Sequence, residues 1–80
     1  MKNKKIDKKI SSIIRKVFQL KNNVGPKNLD QKKIEKWDSL GHITLLLTLQ
    51  EELKMNFNVS DQTKLTNFKN ILKFVLKKKK

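Results

Sequence analysis

The chain has 80 residues, no cysteine and a formal net charge of +13. A chain of this length buries only about 60 to 65 % of the surface that its unfolded state exposes, so we expect residues 1–80 to form one small domain of marginal stability. The lack of cysteine excludes a disulfide and a thiolate metal site. The basic N-terminus is not followed by an apolar run, and no stretch reaches ~18 consecutive apolar residues. Neither secretion nor membrane spanning is indicated, and we expect a cytoplasmic protein.

The net charge would ordinarily indicate nucleic acid or an anionic surface as a partner. The basic residues, however, are nineteen lysines and one arginine, Arg15, whereas recognition of phosphates and bases favours the rigid fork of arginine. Seven of the lysines lie in the basic ends, at about 1–5 and 77–80. The abundance of lysine, asparagine and isoleucine is also what an AT-rich genome favours without selection for binding. We therefore assign most of the charge to composition and solubility, and keep a basic helical module that binds nucleic acid or an anionic membrane surface as the alternative.

The first periodic segment predicts an amphipathic helix from about Lys5 to Leu20. Its apolar residues recur at helical spacing on one face, and Gly25-Pro26 prevents any continuation. This inner face comprises Ile6, Ile10, Ile13, Ile14, Val17 and Phe18. The polar connection that follows, 21–37, is expected to contribute its irregularly spaced apolar residues to the core: Val24, Leu29, Ile34 and Trp37.

A second helix is predicted to begin at Asp38, a good N-cap residue, and to run to about Glu52 or Leu53. Its predicted inner stripe comprises Leu40, Ile43, Leu46, Leu47 and Leu53. Leu45 and Leu49 are apolar as well. A helix this hydrophobic either packs on two sides or keeps an exposed apolar strip for a partner or ligand.

The rest of the chain predicts a short helical turn and a last long helix. Residues 55–59 alternate apolar residues with asparagine, but no second strand exists to pair with them, so we expect an extended loop. A helical turn is predicted over 60–65, and a last helix from about Phe68 that ends at the lysine tail beginning with Lys77. The apolar residues at helical spacing in this last helix are Phe68, Ile71, Leu72, Val75 and Phe74 or Leu76. Three long helices and one short helix predict an all-α, up-and-down bundle.

The tripeptide Asp38-Ser39-Leu40 lies between Trp37 and the apolar run 41–49, with about 38 residues before it and 40 after it. It puts a serine hydroxyl at the first turn of a hydrophobic helix in a chain with few catalytic residue types, which suits an attachment point better than a nucleophile. Together with Gln50-Glu51-Glu52-Leu53 and the spacing on to Phe57, Leu65, Phe68 and Ile71, this arrangement resembles the acyl carrier proteins over nearly the whole chain. The sequence of residues 37–42 resembles that of a subset of stand-alone carriers.

The resemblance implies a small four-helix bundle of the acyl-carrier type, with Ser39 as the attachment residue for 4'-phosphopantetheine. A phosphopantetheinyl transferase moves this arm from coenzyme A, and acyl or aminoacyl groups then travel on its thiol as thioesters. Loading and transferring enzymes do the chemistry, so the resemblance implies a monomeric carrier with no catalytic residue, no metal site and no nucleic-acid partner. Fatty acyl, hydroxyacyl, aminoacyl and polyketide cargo all stay open, as does sheltering of an acyl chain in the core.

The resemblance also assigns roles beside Ser39. Asp38 caps the helix and helps the metal-bound active site of the transferase engage. Leu40 is implied to be contacted by partner proteins, with a place in the core as the other interpretation. Gly41 either lets the arm or a partner approach next to Ser39 or is merely tolerated near a helix end.

Three further features leave alternatives open. Trp37 is expected in the core or as a lid over the loop. His42, the one histidine, is expected on the exposed helix face, where it would contact the phosphate or a partner; a serine hydrolase is disfavoured because no third group is evident. Carriers of this family are typically acidic, whereas this chain has no acid between Ser39 and Gln50, so we expect partners with a neutral or acidic facing surface. A carrier whose basic ends also tether it to a membrane is a third possibility.

Overall fold

A computed structural model describes residues 4–78, and this range contains four α-helices and no strand. The helices are α1 (Lys4–Val17), α2 (Ser39–Leu53), α3 (Val59–Gln62) and α4 (Phe68–Lys78). A 3-10 turn, Pro26–Asn28, interrupts the long connection between α1 and α2. Asp30 and Asn67 form an isolated antiparallel bridge, which joins this connection to the residue before α4. The all-α prediction is confirmed.

Helix α1 ends at Val17, three residues before the predicted end at Leu20. Gln19 adopts a left-handed conformation with φ of 55°. The N–H of Leu20 donates to Arg15 O at 2.8 Å, and the N–H of Gln19 donates to Lys16 O at 3.3 Å. These two bonds close a Schellman motif, which satisfies carbonyls of the last turn. The chain therefore leaves the helix well before Gly25-Pro26.

Helix α1 packs against both α2 and α4, and the core lies between these three helices. The predicted inner face of α1 is confirmed, since four of its residues are buried and two are partly buried: Ile10, Ile13, Ile14 and Phe18, then Ile6 and Val17. The connection contributes three buried side chains and one partly buried one, as predicted: Leu29, Ile34 and Trp37, then Val24.

The predicted inner stripe of α2 is wrong at three of its five positions. The side chains that α2 buries are Leu45, Leu46, Leu49 and Leu53. Leu40, Ile43 and Leu47 are instead 73 %, 53 % and 61 % exposed. Because α2 is apolar on every side, the spacing of its residues does not indicate which side faces the core. The side of α2 that faces the core is the one that packs against α1.

Helix α3 begins at Val59 and ends at Gln62, so it starts earlier and is shorter than predicted. Asn58 and Asp61 form a capping box at its start. The N–H of Asp61 donates to Asn58 Oδ1 at 2.9 Å, and the N–H of Asn58 donates to Asp61 Oδ2 at 3.3 Å. The pair satisfies two backbone donors that a short helix would otherwise leave free.

Helix α4 buries Phe68, Ile71 and Val75, as predicted. It continues through Lys78, so the predicted end before Lys77 is wrong. The predicted basic ends fall partly within α1 and α4; residues 1–3 and 79–80 lie outside the described residues.

The single arginine of the chain has a structural role. Arg15 Nη1 donates to Val24 O at 2.9 Å, and Nη2 donates to Ser11 Oγ at 3.3 Å. Ser11 is buried and in turn donates to Lys8 O at 3.2 Å. The guanidinium thus fastens the connection to α1.

Candidate functional site

The start of α2 places Ser39 at the first helical position, with its side chain exposed. Asp38 precedes it in an extended conformation, and its Oδ1 accepts a hydrogen bond from Gly41 N at 2.8 Å. Asp38 is therefore the N-cap, as predicted. Since the carboxylate of Asp38 makes the cap, the hydroxyl of Ser39 is not required for it.

The outer strip of α2 consists of Leu40, Ile43 and Leu47, which lie at helical spacing on the solvent side. Thr44 and Thr48 lie beside them. The Oγ1 of Thr44 donates to Leu40 O at 3.0 Å, and that of Thr48 donates to Thr44 O at 2.9 Å. Both hydroxyl protons are thus engaged by the helix backbone. A continuous apolar surface therefore begins one residue after Ser39.

Gly41 is explained by the approach of neighbouring groups to the helix start. A Cβ built on Gly41 would overlap the carbonyl oxygen of Lys36 and would lie 2.9 Å from Cε1 of Phe18. Gly25, by comparison, has nothing within 4 Å of a built Cβ. Gly41 is therefore a packing requirement where Lys36 and Phe18 meet the start of α2, and not a residue that is merely tolerated near a helix end.

His42 is half-buried, which contradicts its predicted place on the exposed face. Trp37 Nε1 donates to His42 Nδ1 at 2.9 Å, and His42 Nε2 lies 2.8 Å from Gln62 O. An indole N–H only donates, so Nδ1 accepts and Nε2 carries the proton that bonds Gln62. The imidazole therefore links the start of α2 to the end of α3. Both ring nitrogens of His42 are therefore hydrogen-bonded to Trp37 and Gln62, and not to Ser39.

Trp37 is 1 % exposed and is a core residue, one of the two places considered for it. Its indole stacks on Phe18, with ring centroids 5.1 Å apart, and on the imidazole of His42 at 6.3 Å. Trp37 and His42, which lie on either side of residues 38–41, are therefore joined with Phe18 in one aromatic cluster.

A small groove runs along the helix start. It has a volume of about 240 Å³ and is lined by residues of α1 and α2 together with the exposed Lys36. Asp38, Leu40 and Thr44 form its α2 side, and Val17 and Phe18 form its α1 side. The groove therefore contains one cation, Lys36, whose Nζ donates to Gln19 Oε1 at 3.2 Å, one carboxylate, Asp38, and several apolar groups.

Val59 is an exposed apolar residue that the sequence analysis missed, at 78 % exposure on α3. The pattern Asn58-x-x-Asp61 is a capping-box signal and would have predicted a helix start at Val59. Within residues 4–78 no cluster of three His, Cys, Asp or Glu side chains could hold a metal ion. None of the helices described combines the length and the apolar character that crossing a membrane requires.

Comparison of the chain with family models, with curated proteins and with solved structures finds no match.

Proposed function

We propose that the chain is an acyl carrier protein that carries acyl or aminoacyl groups as thioesters on a 4'-phosphopantetheine arm attached to Ser39. The fold proposed with it is the acyl-carrier type of four-helix bundle. The observation that carries the proposal is the start of α2, where an exposed serine that is not needed for capping adjoins an exposed apolar strip.

The residues around Ser39 suit an anionic tether. An N-terminal helix position favours a phosphodiester by about 0.3 to 1 kcal/mol through the helix dipole. The exposed Lys36 lines the groove that adjoins the serine, and its Nζ, which donates to Gln19 Oε1 at 3.2 Å, keeps further donors for a phosphate. Because Ser39 itself is exposed, an enzyme reaches its oxygen without unfolding the domain.

When bound, the arm would supply a thiol, the one that a chain without cysteine lacks. The roles of the protein's own residues are positional. Ser39 provides the oxygen of the attachment bond, Asp38 holds the helix start through Gly41, and His42 holds α3 against it. The acyl transfer itself belongs to partner enzymes.

The outer strip of α2 supports the proposal that partner enzymes carry out the acyl transfer. Leu40, Ile43 and Leu47 offer a contact surface directly beside the attachment residue. No acidic residue occurs on α2 before Glu51, so the strip does not repel an acidic partner. We therefore expect loading and transferring enzymes whose facing surface is apolar with a neutral or acidic rim.

A nucleic-acid module is disfavoured by the use of Arg15. Base and phosphate recognition relies on arginine for bidentate contacts. In this chain the one arginine donates to Val24 O and Ser11 Oγ. What remains on the surface is lysine, which offers only point charges.

The proposal is tested by the intact mass of the purified protein after incubation with coenzyme A and a broad-specificity phosphopantetheinyl transferase. The native chain is expected to gain one phosphopantetheinyl group. Ser39→Ala is expected to gain none, whereas Ser12→Ala, which removes an exposed serine from the middle of α1, gains one like the native chain. No gain on the native chain with several transferases, or a gain on Ser39→Ala, would refute the proposal.

A further inference from the structure

The groove between α3 and α4 combines cations with apolar side chains. It has a volume of about 800 Å³ and lies away from the outer strip of α2, with which it shares no lining residue. Lys64, Lys73 and Lys77 are exposed on its lining. Its apolar lining comprises Leu65, Phe74 and Leu76.

The polar groups of the groove other than the lysines are engaged within the protein. Asp61, the one acid among the lining residues, accepts from the N–H of Asn58 in the capping box. The side chain of Asn70 donates to Lys64 O at 3.1 Å. The lining therefore presents an excess of positive charge, with its single carboxylate already in use.

The stability of α4 explains only the last of its evenly spaced lysines, Lys77, which lies in the final turn where the helix dipole favours a cation. Lys69, Lys73 and Lys77 follow one another at four-residue intervals on the exposed side, and like charges at this spacing destabilise a helix. A negatively charged surface outside the protein would attract all three lysines and so offset the repulsion among them.

The apolar lining indicates what kind of anion fits. Phe74 contacts Phe57 edge to face at 5.2 Å between centroids, which fixes its ring, and Lys78 Nζ lies 5.6 Å from the same ring. Phe74 and Leu76 are only partly buried, so they stay accessible between the lysines. Cations around accessible apolar side chains match an anionic amphiphile, whose phosphate and hydrocarbon lie next to each other.

We propose that the α3–α4 groove binds the anionic lipids of a membrane surface. Lysine suits this occupant better than a nucleic acid, because flexible point charges follow the mobile phosphates of a bilayer and need no bidentate geometry. The binding face combines Lys64 and Lys73 with Lys77, the first residue of the basic C-terminal end, which α4 includes. Since the groove does not include Ser39 or the outer strip of α2, a membrane-bound protein keeps both of them free.

The experiment is flotation of the full chain with vesicles of phosphatidylcholine alone and with vesicles of phosphatidylcholine and phosphatidylglycerol. The protein is expected to float with the anionic vesicles only. The combined variant Lys64→Gln, Lys73→Gln and Lys77→Gln is expected to lower the partition coefficient by roughly 100-fold, since each lysine at an anionic surface contributes about five-fold. Leu76→Ser is expected to lower it several-fold, and circular dichroism checks that each variant stays folded.

The matched control removes the same charge from α1, with Lys5→Gln, Lys9→Gln and Lys16→Gln combined. An equal loss in this control would reduce the interaction to net charge and overturn the proposal. It would also be overturned if the native chain failed to float, or if it bound a single-stranded oligonucleotide or polyglutamate through the same lysines but not the vesicles. Ser39→Ala is expected to float like the native chain, so this result is independent of the attachment reaction.

Discussion

Helices α2 and α4 differ in the side chains that they expose to solvent. Helix α4 buries its apolar side chains and directs Lys69, Lys73 and Lys77 to solvent. Helix α2 buries one set of leucines and exposes another, with no lysine, arginine or acidic residue before Glu51. In a chain of net charge +13, so uncharged a surface stands out. An exposed apolar surface adds nothing to the core, and contiguous ones mark contact with something outside the domain. The difference between the two helices is the one that the proposed contact between α2 and partner enzymes requires.

The largest effect should separate the two faces of α2 at neighbouring residues. Leu46 is 2 % exposed and Leu47 is 61 % exposed. Leu46→Ala should lower the free energy of unfolding by about 2 to 5 kcal/mol, because it leaves a cavity in the core. Leu47→Ala should change it by less than about 0.5 kcal/mol. Urea denaturation of both variants checks this, and equal losses would mean that the outer strip is part of the core.

The next effect concerns the link between α2 and α3. His42→Ala should lower the free energy of unfolding by about 1 to 3 kcal/mol, because it leaves the buried N–H of Trp37 without an acceptor. His42→Asn should cost less, since the amide oxygen can replace Nδ1. Denaturation followed by tryptophan fluorescence reports both. If His42→Ala is as stable as the native chain, the bridge does not hold α3.

A comparable effect is expected where Lys36 and Phe18 approach the start of α2. Gly41→Ala should cost about 1 to 3 kcal/mol, because the new methyl group would overlap the backbone carbonyl oxygen of Lys36, and this strain exceeds the gain in helix propensity. Gly25→Ala is the matched control and should be neutral or slightly stabilising, since nothing lies within 4 Å of its Cβ. Thermal melts compare the two. A Gly41→Ala variant as stable as Gly25→Ala would remove the packing explanation of this glycine.

The smallest effect concerns the charge that α4 carries and α2 lacks. Added salt should raise the thermal midpoint, because it screens repulsion among the lysines. If this screening raises the free energy of unfolding by about 1 kcal/mol, the thermal midpoint should rise by roughly 4 to 8 °C. Lys69→Gln, Lys73→Gln and Lys77→Gln combined should make the midpoint less sensitive to salt. A midpoint of the native chain that stays flat from low to high salt would contradict this.

The same two helices show how far the sequence predicts the fold. The inner faces of α1 and α4 were predicted correctly, because lysines alternate with apolar residues and mark the solvent side. The cap at Asp38 was also predicted, because capping depends on a few neighbouring residues. The inner stripe of α2 was predicted wrongly at Leu40, Ile43 and Leu47, because a helix that is apolar all round has no marked solvent side.

Within the site, positions that depend on local contacts were predicted from the sequence, and positions that depend on distant contacts were not. The exposed position of Ser39 follows from the helix start that Asp38 defines. The position of His42 depends on Gln62, twenty residues away, and no local pattern contains that contact. The end of α1 depends on Gln19 in a left-handed conformation, which is usually a glycine position. Such features follow from tertiary packing and are not visible in the spacing of residues.

The central claim is that one face of α2 builds the core while the other serves the enzymes that act at Ser39. The most direct measurement is the initial rate of arm attachment by a phosphopantetheinyl transferase to the native chain, Leu40→Ser, Leu47→Ser and the control Val59→Ser. We expect kcat/KM to fall roughly 10-fold for Leu40→Ser and Leu47→Ser, as for loss of a well-packed interface contact, with thermal midpoints unchanged and Val59→Ser close to native. Native rates for both leucine variants would contradict the account, because the outer strip would then serve no enzyme at this site.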